Sequence, residues 1–213
     1  MNKILENNQV VISGEIASEF YFNHEHLGEK FYLVYVDVPR ISGTIDRLPV
    51  MVSECLINTK ENLKGCKANI YGNYRSYNKH DSDKNRLLLT VFALEIEITE
   101  EILKGRDGNK VFLEGTICKE PVFRTTPSGR EITDFLIAVN RGYGKSDYIP
   151  CICWARTARR VSGFSVGDRI TVEGRIQSRV YTKIHTDGKI EEKVAYEVSA
   201  NTVERKSLNE TEL

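Results

Sequence analysis

The 213 residues carry 30 Lys+Arg against 30 Asp+Glu, a formal net charge of zero, with 40% apolar and 28% charged side chains. That balance excludes a uniformly basic nucleic-acid-binding surface and a strongly acidic tail protein, and it leaves material for a substantial core. No stretch approaches the roughly 18–20 consecutive apolar residues of a membrane-crossing helix. Residues 1–8 show no apolar signal segment, so the expectation is a cytoplasmic protein with no membrane partner.

In chain order, the first strand signature is Val11-Ile12-Ser13-Gly14-Glu15-Ile16. His24-Glu25-His26 follows as the one metal-like cluster. Nothing nearby completes a ligand set of the usual spacing, so it reads as a solvated loop and no metal is expected. Asp46-Arg47-Leu48-Pro49-Val50-Met51-Val52 comes next, then Leu63-Lys64-Gly65 with Gly72 seven positions on. These anchors recur as Phe112-Leu113-Glu114-Gly115-Thr116-Ile117, Asp147-Tyr148-Ile149-Pro150-Cys151-Ile152-Cys153, and Val166-Gly167 with Gly174. Gly14 to Pro49 and Gly115 to Pro150 both span 35 positions, and the offset between copies drifts only from 101 to 102. The chain is therefore an internal repeat. The polar stretch 100–109, with Gly105 and Gly108, suits a linker. The expected division is a first domain over 1–104, a second over 105–206 and a short tail over 207–213.

The second copy shows the pattern most clearly. Residues 109–117 alternate apolar and polar, with a glycine in mid-strand that signals a bulge or bend. Thr126-Pro127-Ser128-Gly129 is turn chemistry opening a hairpin into 132–140, and 148–154 is a third strand. Residues 155–162 are the one short helical candidate, closed by Gly163. Long strands over 169–181 and 194–203 are joined across Asp187-Gly188. Five strands with a helix between the third and fourth favour a five-stranded OB-type barrel over a generic β-sandwich. The expected class is all-β: two tandem OB-fold barrels, each with at most one short helix.

The five cysteines, Cys55, Cys66, Cys118, Cys151 and Cys153, form no Cys-x-x-Cys pair and read as free thiols. Cys151 and Cys153 fall on one strand face. No Gly-x-Ser-x-Gly turn is present, and neither catalysis nor a cofactor is expected. The second copy does interleave Tyr143, Tyr148, Trp154 and Tyr181 with Arg124, Arg141, Arg156, Arg159, Arg160, Arg175 and Arg179. Unpaired bases stack on flat side chains while cations follow phosphates, so this combination suits single-stranded nucleic acid.

Several separated motifs then carry a resemblance. Asn109-Lys110-Val111-Phe112-Leu113-Glu114-Gly115, Phe135-Leu136-Ile137-Ala138-Val139-Asn140-Arg141, Asp147-Tyr148-Ile149-Pro150, Trp154-Ala155-Arg156-Thr157-Ala158, Val172-Glu173-Gly174-Arg175 and Tyr196-Glu197-Val198 follow one another in order. The region 109–203 resembles the bacterial single-stranded DNA-binding protein family. That resemblance implies an OB fold, binding of single-stranded DNA without marked sequence preference in replication, recombination or repair, and assembly of four OB domains. Two chains would supply them as a homodimer. It places the stacking residues at Tyr143, Tyr148, Trp154 and Tyr181, and basic contacts at Lys110, Arg156 and Arg179. Arg124, Arg141 and Arg175 join the candidate DNA-binding set from the aromatic and basic pattern. One basic position of the family is replaced here by Gln177.

The first copy departs from this set. At the four aromatic positions it has Ser42, Arg47, Ser53 and Lys79, while Tyr71, Tyr74 and Tyr77 cluster nearby. Residues 1–105 hold 12 basic and 15 acidic side chains, net −3, and residues 106–213 hold 18 and 15, net +3. The expectation is that the second domain grips DNA while the first serves assembly or auxiliary binding. The alternative is a differently arranged surface built from Tyr74, Tyr77, Arg75 and Arg86. The chain's last residues, Glu210-Thr211-Glu212-Leu213, only weakly echo an acidic recruiting tip, so recruitment of other proteins that way is not expected. A protein-interaction module of a primosome or replication complex, binding DNA weakly, is the rival function.

Overall fold

The computed structural model describes residues 6–81, 84–184 and 190–206, with the backbone alone at 78–81, 84–86 and 184. The expected Asp187-Gly188 turn and the 207–213 tail lie outside the described residues. Eleven strands form one connected sheet in the order β10-β11-β9-β8-β7-β1-β5-β6-β4-β3-β2. They are β1 (Asn8–Ile16), β2 (Tyr21–His26), β3 (Glu29–Pro39), β4 (Ile45–Ser53), β5 (Lys67–Asp81), β6 (Lys84–Thr99), β7 (Asn109–Thr125), β8 (Glu131–Arg141), β9 (Lys145–Trp154), β10 (Arg169–Ile184) and β11 (Ile190–Arg205).

Two further pairings, β10 with β7 and β1 with β3, close the sheet into two circuits. In the second, β7 pairs β8, β8 pairs β9, β9 runs parallel to β11, and β11 returns through β10 to β7. The first repeats this plan through β1, β3, β4, β6 and β5, again with one parallel pairing, β4 with β6. Each circuit encloses a core of inward residues at alternate positions: Val34, Val36, Val38, Leu48 and Val50 in the first, and Ile137, Val139, Ile149, Cys151 and Cys153 in the second.

The mid-strand glycines mark where the first strand of each barrel turns from one neighbour to the other. A Cβ on Gly14 would lie 2.2 Å from the Asp37 carbonyl oxygen, and one on Gly115 would lie 2.3 Å from that of Ala138. Only glycine lets the two backbones approach this closely.

The short helix falls where expected, as α1 (Ala155–Val161), burying Ala158 and Val161 against the second barrel. Among the described residues the first barrel has only turns at the equivalent place, residues 54–66. Two expectations change. His24-Glu25-His26 lies on β2, not in a loop; the strand is exposed at all six positions, and His24 stacks on Phe31 at 4.9 Å. The 100–108 connection is tied down rather than loose. Ser13 donates its N–H to the Gly108 carbonyl (2.8 Å), Leu103 donates to the Ser13 hydroxyl (2.9 Å), and the Lys67 ammonium donates to the Glu100 carbonyl (2.9 Å).

The barrels join by antiparallel pairing of β1 with β7, from Asn8 opposite Leu113 to Ile12 opposite Asn109. Near this seam, equivalent asparagines bridge the point where the fourth barrel strand leaves the first. Asn8 exchanges two hydrogen bonds with the Tyr74 backbone (2.8 and 2.7 Å), and Asn109 two with that of Ile176 (2.8 and 2.9 Å). Each replaces ladder bonds that the strands no longer make.

Candidate nucleic-acid interface

On β9 the core takes Ile149, Cys151 and Cys153, so Tyr148 and Trp154, an even number of residues apart, face outward. Tyr148 is 43% exposed and Trp154 37%, at the strand's end where α1 begins. Tyr143 occupies the 142–144 turn between β8 and β9 with φ of 63°, next to Gly144 at 68°. That left-handed conformation is costly for a tyrosine, and it pushes the ring into solvent at 94% exposure. Tyr181 is 38% exposed on β10, with the Arg179 guanidinium 5.8 Å from its ring centre.

The cations divide into two groups. Lys110 on β7 and Arg156 on α1 are exposed and have no ion-pair partner among the described residues. Arg179 is loosely engaged, 3.9 Å from Glu197, and Arg124 donates to Asp134 at 2.6 Å on the exposed hairpin. Arg141 and Arg175 instead turn toward the seam. Arg141 donates twice to Asp147, once at 3.1 Å, and lies 5.6 Å from the Tyr77 ring centre. Arg175 stands 3.7 Å from Asp46 and donates to Gln177 (2.9 Å). Gln177 is buried and donates in turn to Glu197 (2.7 Å).

Asp46 and Asp147, both fully buried, escaped the sequence reading as site residues. Each sits at the same place in the repeat and reaches across to the other barrel. Asp147 accepts the Ser76 N–H (2.7 Å) and lies 3.4 Å from Arg75 of the first barrel, and the Tyr148 N–H donates to the Ser76 hydroxyl (2.8 Å). Asp46 accepts the N–H (2.6 Å) and hydroxyl (3.0 Å) of Ser178. The signal was present: the aspartate opens the repeated Asp-x-x-Pro anchor in both copies, where a buried strand gives no other reason for an acid.

The first barrel offers no matching aromatic set. Ser42 bonds Thr44, Arg47 pairs with Asp37 at 2.8 Å, and Ser53 is buried against Glu29. The side chain of Lys79 lies outside the described residues, as does that of Arg86. Tyr74, read as a possible DNA contact, is in the core, with burial raising its pKa. Tyr77 is half-buried under Arg141, and its pKa too is raised, chiefly by burial. Burial also pushes the Cys153 thiol up to about 12 and Cys151 well above the usual thiol range, so both are inert hydrophobes, as expected for free thiols on a core face. No group of three or more His, Cys, Asp or Glu among the described residues could hold a metal. No described helix is long and apolar enough to cross a membrane.

Two closed five-stranded circuits with one parallel closure each, the second displaying exposed aromatics beside cations, define a tandem OB-type barrel protein. Residues 108–206 match the family model described as Single-strand binding protein family. Single-stranded DNA-binding protein 1 of Staphylococcus aureus (strain COL) is 41% identical over 80 residues, covering 34% of this chain and 48% of that protein. Single-stranded DNA-binding protein A of Bacillus subtilis (strain 168) is 39% identical over 80 residues, covering 34% and 46%. The chain thus spans about half the length of the curated relatives it matches. The whole fold is similar to wild-type single-stranded DNA binding protein from Thermus aquaticus, with a TM-score of 0.69 at 20% identity over 97% of this chain and 96% of that one.

Proposed function

We propose that this chain binds and protects single-stranded DNA without marked sequence preference, on the second barrel and without catalysis. The observation that carries the reading is that all four candidate stacking aromatics stand at the surface of that barrel, where a structural role would have buried them. Tyr143, Tyr148, Trp154 and Tyr181 take bases, and Lys110, Arg124, Arg156 and Arg179 take phosphates. Arg141 and Arg175 line the edge of this path while anchoring the seam. The first barrel serves assembly, and two chains paired as a homodimer bring together four OB domains. The two curated relatives described above, both named single-stranded DNA-binding proteins, support the same reading.

Trp154 is the only tryptophan. Oligothymidylate is therefore expected to quench the intrinsic tryptophan fluorescence strongly at about 50 mM salt. The affinity should fall steeply by about 200 mM as displaced counterions compete. Absence of both quenching and gel retardation at the lower salt sinks the proposal and favours the protein-docking module. Trp154→Ala and Tyr181→Ala should each cost about 1–3 kcal/mol of binding, read by anisotropy of a labelled oligonucleotide.

A further inference from the structure

Each barrel extends a two-stranded arm. β10 leaves β7 at Gly174 and from Arg175 onward pairs only with β11, while β5 leaves β1 at Gly72 and continues with β6. An isolated two-stranded ribbon is marginal in water and takes its direction from whatever holds its root. Here the opposite barrel holds it. Asp46 on β4 accepts both the N–H and the hydroxyl of Ser178, and the Arg40 guanidinium donates to the Ser178 carbonyl at 3.1 Å. Arg40 is itself fixed on Asp46 by two bonds of 2.6 and 2.5 Å. Every hydrogen-bonding group of Ser178 is thus engaged by the first barrel. Arg179 and Tyr181 follow within three residues.

We propose that Asp46, together with Arg40, is a positioning residue for DNA binding by the second barrel: the first barrel aims the arm that presents Arg179 and Tyr181. The inference rests on the function proposed above and deepens it, because the barrel without a stacking set still shapes the site. The equivalent grip of Asp147 on Ser76 holds the other arm, where the sequence has Lys79 at the place of Tyr181, and Tyr77, at the place of Arg179, is half-buried under Arg141. The effect on DNA is therefore one-sided, although the two contacts are alike in geometry.

A double-mutant cycle tests this, with oligothymidylate binding read by Trp154 quenching, since Trp154 lies on β9 and outside the arm. Tyr181→Ala should weaken binding about tenfold. Asp46→Asn should weaken it several-fold and remove most of the further loss caused by Tyr181→Ala, because a misdirected arm no longer uses that ring. In an Asp147→Asn background Tyr181→Ala should keep its full effect. Losses that simply add at Asp46 and Tyr181 overturn the inference while leaving DNA binding in place, whereas a wild-type chain that is never quenched overturns both. Should Asp46→Asn not fold, Ser178→Ala takes its place in the cycle, and amide exchange across residues 179–183 should be faster than in the wild type. Unchanged exchange there overturns the inference as well.

Discussion

Replacing Asp147 with alanine is expected to lower the free energy of unfolding by about 3–5 kcal/mol, read as a shift in the urea midpoint at unchanged slope. The carboxylate is fully buried and receives Arg141, Arg75 and the Ser76 N–H. Burial first and the neighbouring Arg141 charge second already depress the Arg75 pKa, so the two guanidiniums tolerate each other only through the acid between them. Alanine leaves both cations facing one another and one backbone donor without a partner. Both arginines keep about a fifth to a quarter of their side chains exposed and can partly swing into water, which places the loss toward the lower end of that range. Asp147→Asn, which retains an acceptor for Ser76, should cost less. A loss below about 1 kcal/mol for alanine would show that the seam is held by β1–β7 pairing alone.

Tyr74 gives the second large effect, with opposite signs for two substitutions. The ring fills the first barrel's core, and its hydroxyl has no hydrogen-bond partner among the described residues. Tyr74→Ala should therefore destabilise by about 3–5 kcal/mol, as for other large aromatic deletions. Tyr74→Phe keeps the packing and removes a buried polar atom that lacks a partner, so it should raise stability by about 1 kcal/mol. Thermal unfolding of the two variants side by side checks both signs. A clear loss on Tyr74→Phe would mean that the hydroxyl is bonded in solution. Neither change should alter oligonucleotide affinity beyond what unfolding accounts for.

The repeat made most of the fold legible before any coordinates. Glycines at matching places, the Asp-x-x-Pro anchors and the apolar alternation were enough to place the second barrel's strands and α1, because inward positions recur with period two along each strand. Extents were less legible. β7 runs on to Thr125, eight residues beyond the apolar alternation, since the outer part of a hairpin is bonded through its backbone and leaves little mark on side-chain choice. The four aromatics stood out in the sequence as rings interleaved with arginines, and their stacking role came from the family resemblance. The structure exposes Tyr148, Trp154 and Tyr181 on strands and Tyr143 in a turn. The destinations of Arg141, Arg175 and Tyr74 were not legible in the sequence. Whether an arginine meets phosphate or a buried acid depends on which residues the second copy brings opposite it, and that is set across the seam rather than along the chain.

The pairing of β1 with β7 inside one polypeptide also has a genetic and a mass-action meaning. In a dimer of identical barrels every substitution enters the contact twice, and the contact itself dissolves on dilution. Here a change at Val10 is met by an unchanged Val111, so each side of the seam can drift separately. The short connection keeps the partners together at an effective concentration on the order of millimolar whatever the amount of protein present. Two copies bound in this way can lose an aromatic set on one side without risking the union of the two.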